Sequence, residues 1–267
     1  MPAAAPARSA TLFASHYVDV RAPHAADSIA ERLRESGLVT VDGLMSRSEV
    51  RACASQFMTI TSHPHSGPDG LTPIHDTGAH AHRAGFAGLG SGELEAHTDR
   101  ASVPDPPRLV FFVCLRPAAE GGDVLLADGR DVLGSLSGDG REAALMLAKP
   151  RTAYYGAGAG HASQVFTVHA DGRVSIRLRQ DGLARWSPMV QPYLPTLRRA
   201  IAGCQRRLRL STGQGYIVNN QRWLHARHGF SGDRLYLRAL GEPRISLSAG
   251  FAPDSTGVLL PRTSETV

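Results

Sequence analysis

The chain has 267 residues, 42% of them hydrophobic and 20% charged, with a formal net charge of +5 and a pI near 9.5. That is enough chain for one large domain or two small ones, and it contains no apolar run of the ~18 residues that a membrane-spanning helix needs. Three distant cysteines (Cys53, Cys114, Cys204) without CxxC spacing argue against a disulfide framework or a thiolate zinc site and fit a reduced, cytoplasmic compartment. The arginines that supply the excess charge are scattered, not clustered with aromatics. This suits a basic enzyme of small anionic molecules, so neither a nucleic-acid nor a membrane partner is expected. Nothing in the sequence speaks to oligomeric state.

In chain order, residues 1–12 ("MPAAAPARSATL") read as a disordered leader without a secretory signal, and 13–267 as a single domain. "ADSIAERLRESGLVTVDGL" predicts an amphipathic helix that turns at Ser36-Gly37 into a strand from Leu38. "SRSEVRACASQFMTI" predicts a second helix that opens with a Ser46/Glu49 capping box. Residues 63–92 are rich in Gly, His, Pro and Ala, and a loop that long in a compact domain is expected to serve the active site.

Short β-type runs follow: "RLVFFVCL", "DVLLADG", "QVFTVHADGRVSIRLR", "YIVNNQRWLH" and "RLYLRAL". Helical patterns interrupt them at "DVLGSLSGDGREAALMLA" and "MVQPYLPTLRRAIAGCQRRL". Asp171-Gly172 reads as a tight hairpin turn. Many short strands with a few covering helices predict a mainly β fold with a jelly-roll, double-stranded β-helix core.

His97 and Asp99 stand two apart, so in an extended segment both side chains leave the same face. His169 and Asp171 share that spacing, but Asp171 falls in the hairpin turn, which leaves His169 packing locally or facing outward. A non-heme Fe(II) site needs two histidines and one carboxylate on one face of the metal, with open positions opposite. The second imidazole has two candidates, His225 and His228, in "VNNQRWLHARHGF". Arg234, Tyr236 and Arg238 follow on one face of a predicted strand, where an arginine fork would hold a dicarboxylate.

From about residue 90 to 240, "HTD", "PPRLVFFVCLRPAAEGGDVLLADG", "NNQRWLHARHGF" and the late arginine pair together resemble the taurine dioxygenase/clavaminate synthase-like family of Fe(II)- and 2-oxoglutarate-dependent dioxygenases. The resemblance implies that His97, Asp99 and His225 hold Fe(II). It gives Arg238 the distal carboxylate of 2-oxoglutarate and places Arg234 near the cosubstrate's other end. The Gly121-Gly122 turn would set the next strand beside the cosubstrate, where this chain has Val124 in place of the family's usual threonine. His225 also follows the apolar pair Trp223-Leu224, whereas His228 precedes Gly229 and a turn.

The implied reaction consumes O2, releases succinate and CO2, and oxidises an unactivated C–H bond. A carboxylate at Asp99, where related halogenases carry a small residue, predicts a hydroxylase rather than a halogenase. Small members of the family oxidise free amino acids, so a free amino acid or similar small polar metabolite is the expected substrate. A carrier-bound amino acid or a nucleotide-like compound is the alternative within the family. Outside it, the alternative is a non-catalytic jelly-roll protein that binds metal or sugar, which would have no use for the arginine pair. For substrate contacts the sequence offers His75, Asp76, Glu95, Arg177 and Arg179, with His80, His82 and Glu93 in the same loop. Trp223 reads as core.

Overall fold

The structure is a computed structural model and describes residues 11–78, 85–254, 258 and 260. Two antiparallel sheets organise it. The larger runs in the order Leu38–Val41, Gly215–Asn219, Leu109–Arg116, Leu235–Pro243 and Met58–Ile60, with Thr72–Ile74 also paired to Leu235–Pro243. The smaller runs Arg206–Leu208, Val124–Asp128, Trp223–Arg227 and Leu94–His97.

The strands read as almost continuously apolar because successive side chains point to opposite faces and both faces are covered. Leu109, Phe111 and Val113 face outward from the larger sheet. There they pack with Ile29, Leu33, Val50 and Phe57 of the helices Ala25–Glu35 and Arg47–Phe57. Val110 and Cys114 face inward, into a core shared with Val124, Leu126 and Trp223 of the smaller sheet. That sheet's outer face (Ala127, Leu224, Ala226) packs with Val132, Leu147, Leu197 and Ile201 of the helices Gly129–Ser135, Arg141–Leu147 and Leu194–Cys204. The layers are therefore helix, sheet, sheet, helix. Each buried Val, Leu or Phe side chain stabilises this stack by about 1.5–3 kcal/mol.

Local expectations mostly hold, with four instructive departures. Ser46 and Glu49 form the capping box, but the helix stops at Phe57, and Met58–Ile60 joins the larger sheet, where the β-branched Thr59 and Ile60 favour a strand and Met58 enters the core. Residue 12, expected in a disordered leader, is ordered: Thr11 caps the short helix Leu12–Ser15 and Leu12 is buried, while residues 1–10 lie outside the described residues.

The run "YIVNNQRWLH" is two strands, not one. Asn219 Oδ1 accepts the Gln221 N–H at 3.0 Å, and the turn carries the chain from the larger sheet to the smaller. The buried Arg222–Asp128 pair (2.7 Å) fastens the start of the second strand, and Trp223 Nε1 donates to Ser36 O at 2.8 Å. Trp223 is core, as expected.

The Asp171-Gly172 hairpin forms between Phe166–Val168 and Val174–Ile176, with Gly172 at φ +80°. Its second strand ends at Ile176, so Arg177 and Arg179 do not share a strand face.

Candidate active site

His97 is the last residue of the Leu94–His97 strand, and His225 lies in mid-strand directly opposite it in antiparallel register. Paired residues project to the same face, and the two rings stand 4.2 Å apart, centroid to centroid. Phe112 of the larger sheet meets the His225 ring edge-to-face at 5.6 Å. Asp99 follows the strand end and is buried, with Oδ2 3.4 Å from His225 Nε2 and Oδ1 2.6 Å from Arg238 Nη1.

Asn220 holds Asp99 in place. Its Oδ1 accepts the Asp99 N–H at 2.8 Å, and its Nδ2 donates to the carbonyls of Asp99 (2.9 Å) and Pro107 (2.8 Å). The turn that breaks the expected strand thus also fixes the carboxylate, a role the sequence pattern did not reveal.

The donor set suits a divalent transition metal. His97 Nδ1 lies 2.8 Å from Glu95 O, so Nδ1 carries the proton and Nε2 offers a lone pair to a ligand. Burial, then the neighbouring His225, pushes the His97 pKa down to about 3, which keeps its imidazole neutral. Burial alone would raise the Asp99 carboxyl; Arg238, with His225 and His97, more than reverses that and holds it ionised, well below the usual range. As they stand, no three His, Cys, Asp or Glu side chains among the described residues converge into a finished metal cage. Asp99 spends one oxygen on Arg238, while Oδ2 makes no hydrogen bond and is the atom free to turn toward a metal.

These groups line a cavity of about 430 Å³ between the sheets, which also receives Val124, Arg234 and Arg238. Arg234 is buried, its guanidinium carbon 3.7 Å above the Tyr236 ring, and its Nε and Nη1 find no hydrogen-bond partner among the described residues. Val124 pairs with Arg227 across the strands beside His225, and nothing on its side chain donates a hydrogen bond. The Gly121-Gly122 turn that leads into it requires glycine. Both have positive φ, and a Cβ on Gly121 would lie 2.2 Å from Gly229 O.

Of the expected substrate contacts, Glu95 and Arg179 line the cavity. Arg179 is held there by a two-point pair with Asp181 (2.5 and 2.7 Å). His75, Asp76 and Arg177 do not line it, which corrects the sequence expectation. His75 Nδ1 lies 3.1 Å from Asp76 O, and Asp76 accepts the Gly78 N–H at 2.8 Å, both within their own loop. Arg177 donates to Val103 O and Pro104 O and lines a separate polar cavity with His169, behind the Asp99 turn. His169 is half-buried beside its own hairpin, as its turn context implied, and His228 lies off the main cavity. His80 and His82 lie outside the described residues; Glu93 lines the cavity.

Among the cavity residues that the sequence did not single out are His63, Phe86 and Arg100. His63 accepts the His65 N–H at Nδ1 (3.2 Å), so its ring proton sits on Nε2. Burial and the nearby Arg238 lower its pKa to about 4. No periodic signal marks such a residue in an irregular loop; only the folded cavity wall does.

Two facing antiparallel sheets that enclose a two-histidine, one-carboxylate cluster beside an arginine pair define a mainly β protein built around a polar interior site. The chain belongs to the family described as "Taurine catabolism dioxygenase TauD, TfdA family", which matches residues 5–240. Among solved structures it is similar in fold to an asparagine oxygenase, AsnO, at a TM-score of 0.65 and 17% identity over 85% of this chain and 87% of that one. It is similar also to the non-heme iron oxygenase OrfP in complex with Fe, succinate and (3S)-hydroxy-L-Arg (TM-score 0.63, 15% identity, 82% and 83% covered). PvcB from Pseudomonas aeruginosa gives a TM-score of 0.63 at 16% identity over 83% of each chain. No helix among the described residues is long and apolar enough to cross a membrane.

Proposed function

We propose that this chain is an Fe(II)- and 2-oxoglutarate-dependent oxygenase that hydroxylates an unactivated C–H bond of a small polar metabolite, with a free amino acid as the leading substrate class. The observation that carries the reading is the pairing of His97 with His225 beside Asp99, in a cavity where Arg234 keeps donors without a partner among the described residues. We read residues from Thr11 onward as one domain whose two sheets form a double-stranded β-helix. Support for the substrate class comes from AsnO, solved with Fe(II), 3-hydroxyasparagine and succinate, and from OrfP, solved with hydroxylated arginines.

His97 Nε2, His225 Nε2 and an Asp99 oxygen would hold the iron. With 2-oxoglutarate and O2 it would supply the oxidant for the C–H bond, releasing succinate and CO2. An Asp99 oxygen on the iron would fill the position a halide needs, which favours hydroxylation over halogenation.

The chain's own residues divide the remaining work. Asn220 and Arg238 hold Asp99 in place. The sequence reading gave Arg238 the distal carboxylate of 2-oxoglutarate and Arg234 the near end; the geometry supports the exchange of these roles. Arg238 already touches Asp99, so with iron on Asp99 it would stand at the metal end. Arg234 lies four residues back on the chain, roughly 13 Å at 3.3 Å per residue, and its free donors suit the distal carboxylate. Phe112 and Val124 give the cavity an apolar wall that would help keep water from the reacting groups.

Under argon, protein with Fe(II) and 2-oxoglutarate is expected to show a weak visible charge-transfer band. In air, a panel of free amino acids is expected to include at least one that stimulates succinate formation. A protein that gives neither band nor succinate is not this enzyme.

A further inference from the structure

Arg227 lies two residues beyond His225 on the same strand and is buried, yet it has no ion pair among the described residues. Instead its guanidinium gathers backbone carbonyls of one segment. Nη2 donates to Gly90 O at 2.7 Å, Gly92 O at 2.5 Å and Ala87 O at 3.4 Å, and Nη1 to Gly88 O at 3.4 Å. That segment forms part of the cavity wall through Phe86, Ala87, Gly88 and Leu89. Two backbone bonds hold it as well: Phe230 N to Ser91 O at 2.9 Å and Thr77 N to Leu89 O at 3.0 Å.

Carbonyl dipoles compensate a buried cation only in part. The shortfall is aggravated by Arg234, which repels Arg227 and shares the Phe230 ring with it, the two guanidinium carbons lying 5.3 and 4.9 Å from the ring centroid. Asp76 is the carboxylate that acts on Arg227, and it also accepts a hydrogen bond from Ser91 of the same segment. Two guanidiniums thus lie close together in the cavity wall, one latched to the Ala87–Gly92 segment and the other with open donors.

We propose that Arg227 is a positioning residue that couples the two ends of the site: a dicarboxylate held by Arg234 offsets the repulsion on Arg227 and tightens its hold on the Ala87–Gly92 wall. The wall that shapes the substrate pocket is then firm only in the cosubstrate-loaded protein. The inference rests on the functional reading above. Coupling is reciprocal, so a firmer wall also strengthens cosubstrate binding.

The test is amide hydrogen exchange of the 85–92 segment in the full-length Fe(II) protein under argon, with and without 2-oxoglutarate, alongside the visible band. In the wild type, 2-oxoglutarate is expected to slow exchange there by roughly 5–150-fold, the range of a typical coupling. In Arg227→Gln the segment is expected to exchange fast with or without 2-oxoglutarate, while the band still forms. Arg227→Lys, a point charge that cannot span several carbonyls, is expected to regain only part of the protection. A wild type that binds 2-oxoglutarate by the band without added protection would overturn the latch and leave the oxygenase reading intact. Absence of the band would overturn both. The wild-type arm needs no variant, so poor folding of Arg227→Gln would not rescue the proposal.

Discussion

His97 and His225 face each other across an antiparallel strand pair, rings 4.2 Å apart, although 128 positions separate them in sequence. Cross-strand register, not proximity along the chain, sets that distance. A slip of one residue would turn His225 into the outer core, where Leu224 and Ala226 now pack.

The choice of His225 over His228 is therefore testable through iron. His228 follows the strand, off the cavity, with its backbone N–H bonded to Asp123 O at 3.0 Å. His225→Ala is expected to lose stoichiometric iron and all succinate formation, and His228→Ala to keep the iron and at least part of the activity. Iron titration of the two purified proteins decides it, and the reverse pattern would mean that the register is misread.

Exchanged arginine roles make a second contrast. Arg234→Ala should raise the 2-oxoglutarate requirement by the equivalent of about 2–5 kcal/mol, the cost of losing a desolvated charge-assisted partner. Arg238→Ala should act first on iron retention, since it removes the partner of Asp99 Oδ1. Cosubstrate titrations that show the larger loss in Arg238→Ala, with iron unchanged, would restore the original assignment. Val124→Thr is expected to leave cosubstrate affinity equal or improved, because a hydroxyl there adds a donor where the valine side chain offers none.

Asn220→Ala removes three hydrogen bonds that fix the Asp99 and Pro107 backbone. Outer partners of metal ligands typically govern affinity by about 10–100-fold, and a loss of that size in iron binding is expected. Iron affinity within twofold of wild type would show that Asp99 is held by its other contacts.

Gly121→Ala should destabilise the whole domain by more than the ~1 kcal/mol of an ordinary surface glycine replacement. Its backbone is left-handed, and the new methyl would overlap Gly229 O. A denaturation midpoint equal to wild type would show that the turn relaxes freely.

Much of this was written locally. The capping box at Ser46, the apolar strands and the Asp171-Gly172 turn depend on neighbours a few residues away, and each forms where the pattern places it. The His97/Asp99 pair was legible as a candidate because two-residue spacing fixes a common face within one segment. His225 needed the family pattern, since sequence alone offered two imidazoles. Tertiary structure decided the rest. It broke "YIVNNQRWLH" at Asn219 and sent the halves into different sheets, because Asn220 bonds best to a backbone 121 positions away. It took Asp76 and Arg177 away from the cavity by giving them nearer partners, and it set Arg238 against Asp99 at 2.6 Å. Propensity and periodicity act within a turn or a strand; which buried polar group meets which partner is settled only when the sheets close.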